Sequence, residues 1–84
     1  MRLNPRVLFQ KLGTEAVLLH LDSEEYFGLN EVALRMWEVL TENNFDSELT
    51  ISELAIEYDT EKMILKNDLS ELINNLILNK ILVD

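Results

Sequence analysis

Apolar and polar positions alternate differently in the two parts of the chain. Up to residue 29 the apolar residues come in short runs separated by turn-forming residues. Val7-Leu8-Phe9-Gln10-Lys11-Leu12 is rich in bulky and β-branched side chains, and Gly13-Thr14 breaks it. Ala16-Val17-Leu18-Leu19-His20-Leu21 is a nearly continuous apolar run whose length suits a buried central strand better than a helix. Asp22-Ser23-Glu24 then offers side chains that bond nearby backbone, as turns require. Glu25-Tyr26-Phe27-Gly28-Leu29 is a short third run. The close spacing predicts an antiparallel meander of three strands.

From residue 30 the apolar period becomes helical. Asn30 is a good N-cap, and Glu31 follows it where the helix dipole favours an acid. Val32, Met36, Val39 and Leu40 then form one face, with Ala33 and Trp37 beside it, to about Glu42. Residues 43–46 read as a loop. Thr50, with Glu53 three positions on, predicts a capping box and a short helix from Ile51 to about Tyr58. Thr60 is the expected cap of a last helix running to about Asn79, with Leu65, Leu69, Leu72, Ile73 and Leu76 on its apolar face. Ile81-Leu82-Val83 is expected to fold back on the core. The pattern predicts a single α+β domain over residues 1–84: a three-stranded antiparallel sheet followed by three helices. The last two helices resemble a helix-turn-helix with the strands as a wing, hence a winged-helix-like domain with its sheet placed first. Three strands cannot close, so the sheet must end in edges.

Composition narrows the function. With 84 residues the chain can bury one small core but no deep, fully walled cleft. It has no cysteine, which excludes disulfides, thiolate metal sites and a cysteine nucleophile. The only histidine, His20, lies in the most apolar run without an HxxxH partner and reads as a structural or rim residue. The glycines are Gly13 and Gly28 alone, too few for a phosphate-cradling loop, and no Asp-x-Asp-x-Asp-Gly register of a calcium loop is present. No catalytic activity, cofactor or metal is expected. The start lacks a signal-peptide pattern and no run approaches the roughly 20 apolar residues of a membrane span, so a cytoplasmic protein without membrane contact is expected.

Charge weighs against nucleic acid. The formal net charge is −9, and residues 31–60 hold eight acids against one base, Arg35. A duplex would be repelled instead of releasing counterions, and the last helix carries no arginine to read a groove. A winged-helix DNA-binding protein is therefore the weaker alternative, beside a purely structural adaptor. A sheet edge next to an apolar helix instead suits an extended peptide, which can join an unpaired strand.

Particular residues support that choice. Ala16-Val17-Leu18-Leu19-His20-Leu21-Asp22, Tyr26-Phe27-Gly28-Leu29-Asn30-Glu31 and Trp37-Glu38-Val39-Leu40, with Tyr58-Asp59, Asp68-Leu69, Leu72, Leu76 and Ile81-Leu82 further on, resemble the PqqD family of peptide-modification chaperones, also called RiPP precursor peptide recognition elements. The resemblance implies a domain that binds the leader segment of a ribosomally made precursor peptide by strand addition to its third strand, in the groove beside the last helix. It implies presentation of that precursor to a tailoring enzyme: a radical S-adenosylmethionine enzyme, as in pyrroloquinoline quinone synthesis, or a leader peptidase and cyclase, as in lasso peptide synthesis. Carried onto this sequence, Glu25, Tyr26, Phe27, Gly28 and Leu29 would be the docking edge, and Leu69, Ile73 and Leu76 the helical wall. Phe27→Pro would then delete a ladder donor and abolish binding. His20 stands where the family more often has Asp or Asn. Ala33 and Lys80 stand where Gly is common, which leaves Asn79 to take the left-handed cap of the last helix.

Overall fold

The computed structural model describes residues 1–84. In chain order the elements are β1 (Arg2–Leu3), β2 (Val7–Leu12), β3 (Glu15–His20), β4 (Tyr26–Leu29), α1 (Glu31–Glu42), α2 (Ser47–Tyr58), α3 (Lys62–Leu78) and β5 (Leu82–Val83). The expected α+β architecture is present: β2, β3 and β4 form an antiparallel sheet in that order, and three helices follow. Leu12 pairs with Glu15 across the two-residue loop Gly13-Thr14. Gly13 holds a φ of +66°, which a glycine in the first central position of a tight hairpin adopts without a Cβ clash.

Strand alternation divides the sheet into two faces. Phe9, Leu18 and Phe27 share a row on the inner face, as do Ala16 and Leu29. Against this face lie Leu34 and Trp37 of α1, together with Leu76, Ile81 and Leu82 from the chain's end. A second cluster joins Met36, Val39 and Leu40 of α1 to Leu54 of α2 and to Leu65 and Leu69 of α3. Helix α1 therefore buries two sides, one on the sheet and one on the helices. This explains a departure from the expected single face: Leu34 is buried, whereas Val32 is half exposed and faces solvent. Trp37 stacks on Phe9 with ring centroids 6.3 Å apart and meets Phe45 edge-on at 6.5 Å.

The caps correct three expectations. Asn30 does cap α1, accepting a hydrogen bond from the Ala33 N–H at 2.9 Å. Helix α2, however, starts a turn earlier than the Thr50 box predicts. Asp46 is its N-cap, accepting from the Leu49 N–H at 3.1 Å, and the buried Thr50 hydroxyl donates back to the Asp46 carbonyl at 2.7 Å. A threonine can satisfy its hydroxyl in this way inside a helix, so the better cap upstream wins. Thr60 does not cap α3; its hydroxyl donates to the Tyr58 carbonyl, and Glu61 occupies the N-cap position without a side-chain bond. At the other end Lys80, not Asn79, takes the left-handed conformation, with φ +59° against −88° for Asn79. The Ile81 N–H bonds the Leu76 carbonyl at 2.8 Å and the Lys80 N–H bonds the Ile77 carbonyl at 3.0 Å, the two bonds of a Schellman turn. The apolar contact that accompanies such a turn, Ile81 on Leu76, directs the tail into the core. β5 then pairs with β1, Leu82 opposite Leu3, a ribbon that sequence pattern did not reveal.

Lys80 holds a backbone conformation that costs a side-chain-bearing residue about 1–2 kcal/mol. Lys80→Gly is expected to raise stability by about 0.5–1 kcal/mol after the loss of unfolded-chain restriction, visible as a melting point about 2–8 °C higher. A lower melting point would show that the lysine side chain outweighs the strain.

Arg35 of α1 clamps Glu57 of α2 with two parallel bonds, Nε to Oε2 at 2.8 Å and a terminal nitrogen to Oε1 at 2.7 Å. That bond holds the Glu57 carboxyl below its ordinary range, burial opposing it only in part. The clamp's contribution is thus complete above the ordinary carboxylate range and fades as pH falls through and below it. Because both side chains remain partly in water, the effect is small. Glu57→Gln should lower the melting point by a few degrees at most at pH 7, and by progressively less as the pH is taken down through and below the ordinary carboxylate range.

Candidate functional site: a vacant strand edge beside a cavity

Of the residues singled out in the sequence, Glu25 to Leu29 do lie along an edge. β4 pairs with β3 on one side and with nothing on the other. The direction of each amide follows from the register. The His20 N–H bonds the Glu25 carbonyl at 2.9 Å, and Leu18 and Ala16 sit opposite Phe27 and Leu29. In an antiparallel ladder bonded pairs alternate, so Glu25, Phe27 and Leu29 turn their ladder groups toward β3. Tyr26 and Gly28 therefore present their N–H and C=O groups outward, four groups with no strand to receive them. A proline at Phe27 would cut the β3–β4 ladder rather than blunt the free edge, which corrects the expectation drawn from sequence.

Alongside this edge runs a cavity of about 540 Å³. Glu25, Tyr26 and Phe27 line one side, and Leu78, Asn79, Lys80 and Ile81 line the other. The wall thus comes from the very end of α3 and its Schellman turn. Leu69 and Leu76 are fully buried, Leu69 against α1 and α2 and Leu76 beneath the sheet, while Ile73 packs half-buried against the helical cluster. None of the three lines the cavity, because the face of a helix that builds a core cannot also be open to a guest. Leu78, 79% exposed and missed by the search for a buried stripe, is the apolar side chain that α3 offers there. Its signal in the sequence was its position off the leucine period, just before the helix ends.

The floor of the cavity is polar and braced. Asn4 donates its N–H to the Ile81 carbonyl and its Nδ2 to the Lys80 carbonyl, each at 2.8 Å, and its Oδ1 accepts from the Arg6 N–H at 2.9 Å. Its Nδ2 also lies 3.4 Å from Nε2 of His20, whose Nδ1 accepts from the Asp22 N–H at 3.2 Å. One asparagine thereby ties the start of the chain, the end of β3 and the end of α3 around the same opening. His20 is buried and its Nδ1 lone pair is taken by the Asp22 N–H, so the ring acts as a brace between the turn and the cavity floor. Nothing at residue 4 in the sequence announces contact with residue 80. Above the floor, Arg6 pairs with Asp22 at 3.0 Å, fixing the turn that leads into β4.

An open edge with four unpaired backbone groups, a braced cavity at its side and an exposed leucine opposite can hold an extended chain. The cavity brings together no three side chains that could hold a metal ion. The family model described as coenzyme PQQ synthesis protein D (PqqD) matches residues 15–82. The chain belongs to the PqqD family. The matched span covers β3, β4 and all three helices, and hence both walls of the cavity, whereas Asn4 and β2 precede it. A solved structure described as TbiB1 in complex with the TbiA(beta) leader peptide has the same fold, with a TM-score of 0.87, 28% identity and 100% of each chain covered. No curated protein matches the chain. The family match and this superposition together place the α+β domain among PqqD-like recognition elements, and no helix of the structure is long and apolar enough to cross a membrane.

Proposed function

We propose that this PqqD-family domain is a non-catalytic chaperone that captures the leader segment of a ribosomally synthesised precursor peptide and presents the precursor to a tailoring enzyme. The observation that carries the reading is the outward row of Tyr26 and Gly28 backbone groups beside the cavity. It is supported by family membership and by the likeness to TbiB1, which was solved with a leader peptide bound. The leader adds as a fourth strand along β4. Its backbone receives four bonds of about 0.5–1.5 kcal/mol each, and its alternate side chains enter the cavity between Phe27 and Leu78. Glu25, Tyr26, Phe27, Gly28 and Leu29 form this docking edge. Leu69, Ile73 and Leu76 support it from within by fixing α3 against the core. The enzyme served is a radical S-adenosylmethionine protein or the leader peptidase and cyclase of lasso peptide synthesis.

The test is a titration of the domain against a fluorescent leader peptide of its candidate precursor, and against a labelled duplex, at two salt concentrations. Saturable peptide binding with little salt dependence and no duplex binding is expected, because backbone bonds and apolar contacts are screened far less than phosphate contacts. Tight, steeply salt-dependent duplex binding without peptide binding would overturn the reading.

A further inference from the structure

The sheet's outer face lacks the polar character that solvent demands of it. A half-covered antiparallel sheet normally alternates apolar inside and polar outside. Here α1 packs on the inner face and no other helix lies on the sheet to a similar extent. Yet the register puts Leu8, Leu19 and Tyr26 in one outer row, Gln10, Val17 and Gly28 in the next, and Leu12 opposite Glu15 in the third. Glu15 is the only charged residue among these eight, in a chain that is 27% charged. Leu8 and Leu12 are 54% and 55% exposed and Tyr26 72%. An uncovered apolar plateau of this kind marks a contact surface.

We propose that this face docks the tailoring enzyme, and that a captured leader extends it; the inference rests on the peptide-binding reading above. Three observations select that occupant. With strands about 4.8 Å apart and about 3.3 Å of rise per residue, three strands make a plateau of about 300 Å², well short of the roughly 800 Å² per partner of a stable complex. A stable dimer would meet that shortfall and also bring two chains of net charge −9 together, whereas a hand-over complex is transient and belongs to the class that buries less. Tyr26, finally, belongs to both surfaces: its backbone lies on the vacant edge and its side chain on the plateau. A strand added to β4 therefore carries the Leu8–Leu19–Tyr26 row one residue further and widens the plateau by about a third. An enzyme whose matching surface is apolar and not acidic then binds the loaded domain better than the empty one, so hand-over awaits cargo.

The experiment compares the wild-type domain with a Leu8→Lys, Leu12→Lys double variant, both side chains lying away from the peptide edge. Affinity for the purified tailoring enzyme that modifies the precursor is measured by biolayer interferometry with and without leader peptide; peptide affinity, melting point and sedimentation are measured in parallel. The wild type is expected to bind the enzyme about tenfold more tightly when loaded, and the variant to lose about tenfold or more of that affinity while its peptide affinity and melting point hold. Enzyme affinity that is unchanged in the variant, or that ignores the peptide, overturns the inference and leaves the peptide reading standing. A wild-type domain that binds no peptide defeats that reading instead. A variant that turns a dimer into a monomer without touching enzyme affinity assigns the face to a second copy, and so overturns the inference too.

Discussion

A Gly28→Pro domain is expected to fold with its sheet intact and to lose leader-peptide binding by about tenfold or more. The Gly28 amide points away from β3, so the proline ring removes no bond from the existing ladder. It deletes one of the four groups that a guest strand would use and sets ring atoms where the guest backbone must approach. Phe27, which precedes it, is already extended, as the residue before a proline prefers. Gly28→Ala is the matched control. A Cβ there meets nothing within 4 Å and the N–H is kept, so peptide affinity should change by no more than about twofold. Phe27→Pro is the opposite case, because its N–H belongs to the β3–β4 ladder, and it should lower the melting point as well as binding. Fluorescence anisotropy with a labelled leader peptide and circular dichroism separate the three outcomes. Full binding by a folded Gly28→Pro domain would remove the vacant edge from the account.

The largest effect on stability is expected at Trp37. It is almost fully buried between the sheet and the chain's end, with Phe9 and Phe45 on its ring. Trp37→Ala leaves a void that neither aromatic can fill, and truncations of this size cost about 3–5 kcal/mol. A domain of this length has only about 4–13 kcal/mol in total. Urea unfolding at 25 °C should therefore show a midpoint lowered by about a quarter or more, and peptide binding should weaken in parallel as the inner face of β4 loses its support. A loss below about 1 kcal/mol would mean that the aromatic cluster contributes little and that the sheet is held by Leu18, Leu29 and Leu76 instead.

Much of the candidate site could be read along the chain, and the parts that could not have a common cause. The edge strand was legible because Glu25 to Leu29 is the last run of a three-stranded meander whose middle run, Ala16 to Leu21, has the apolar character of a central strand. The direction of its amides was not, because a shift of one residue in pairing exchanges inward for outward groups. The resemblance puts the helical wall at Leu69, Ile73 and Leu76, which belong to the apolar stripe that the helical period shows. That stripe is buried in two cores, and the cavity takes Leu78 from beside it. Asn4 and the β1–β5 ribbon escaped entirely: a contact across some 76 residues leaves no local trace.

The sequence by itself determined the three strands of the main sheet and the three helices that follow, since apolar period and capping chemistry act within a few residues of each other. It also determined, through net charge and the lack of cysteine, what the surface repels and which chemistries are absent. Only the tertiary structure decided which sheet edge borders the cavity, which way its amides point and which side chains face the opening. Those depend on how α1 divides its two buried sides between sheet and helices and on how the chain's two ends meet around Asn4 and Lys80. Such choices are made by packing between distant residues, where the free energy of the whole core selects one register from several that local preference allows.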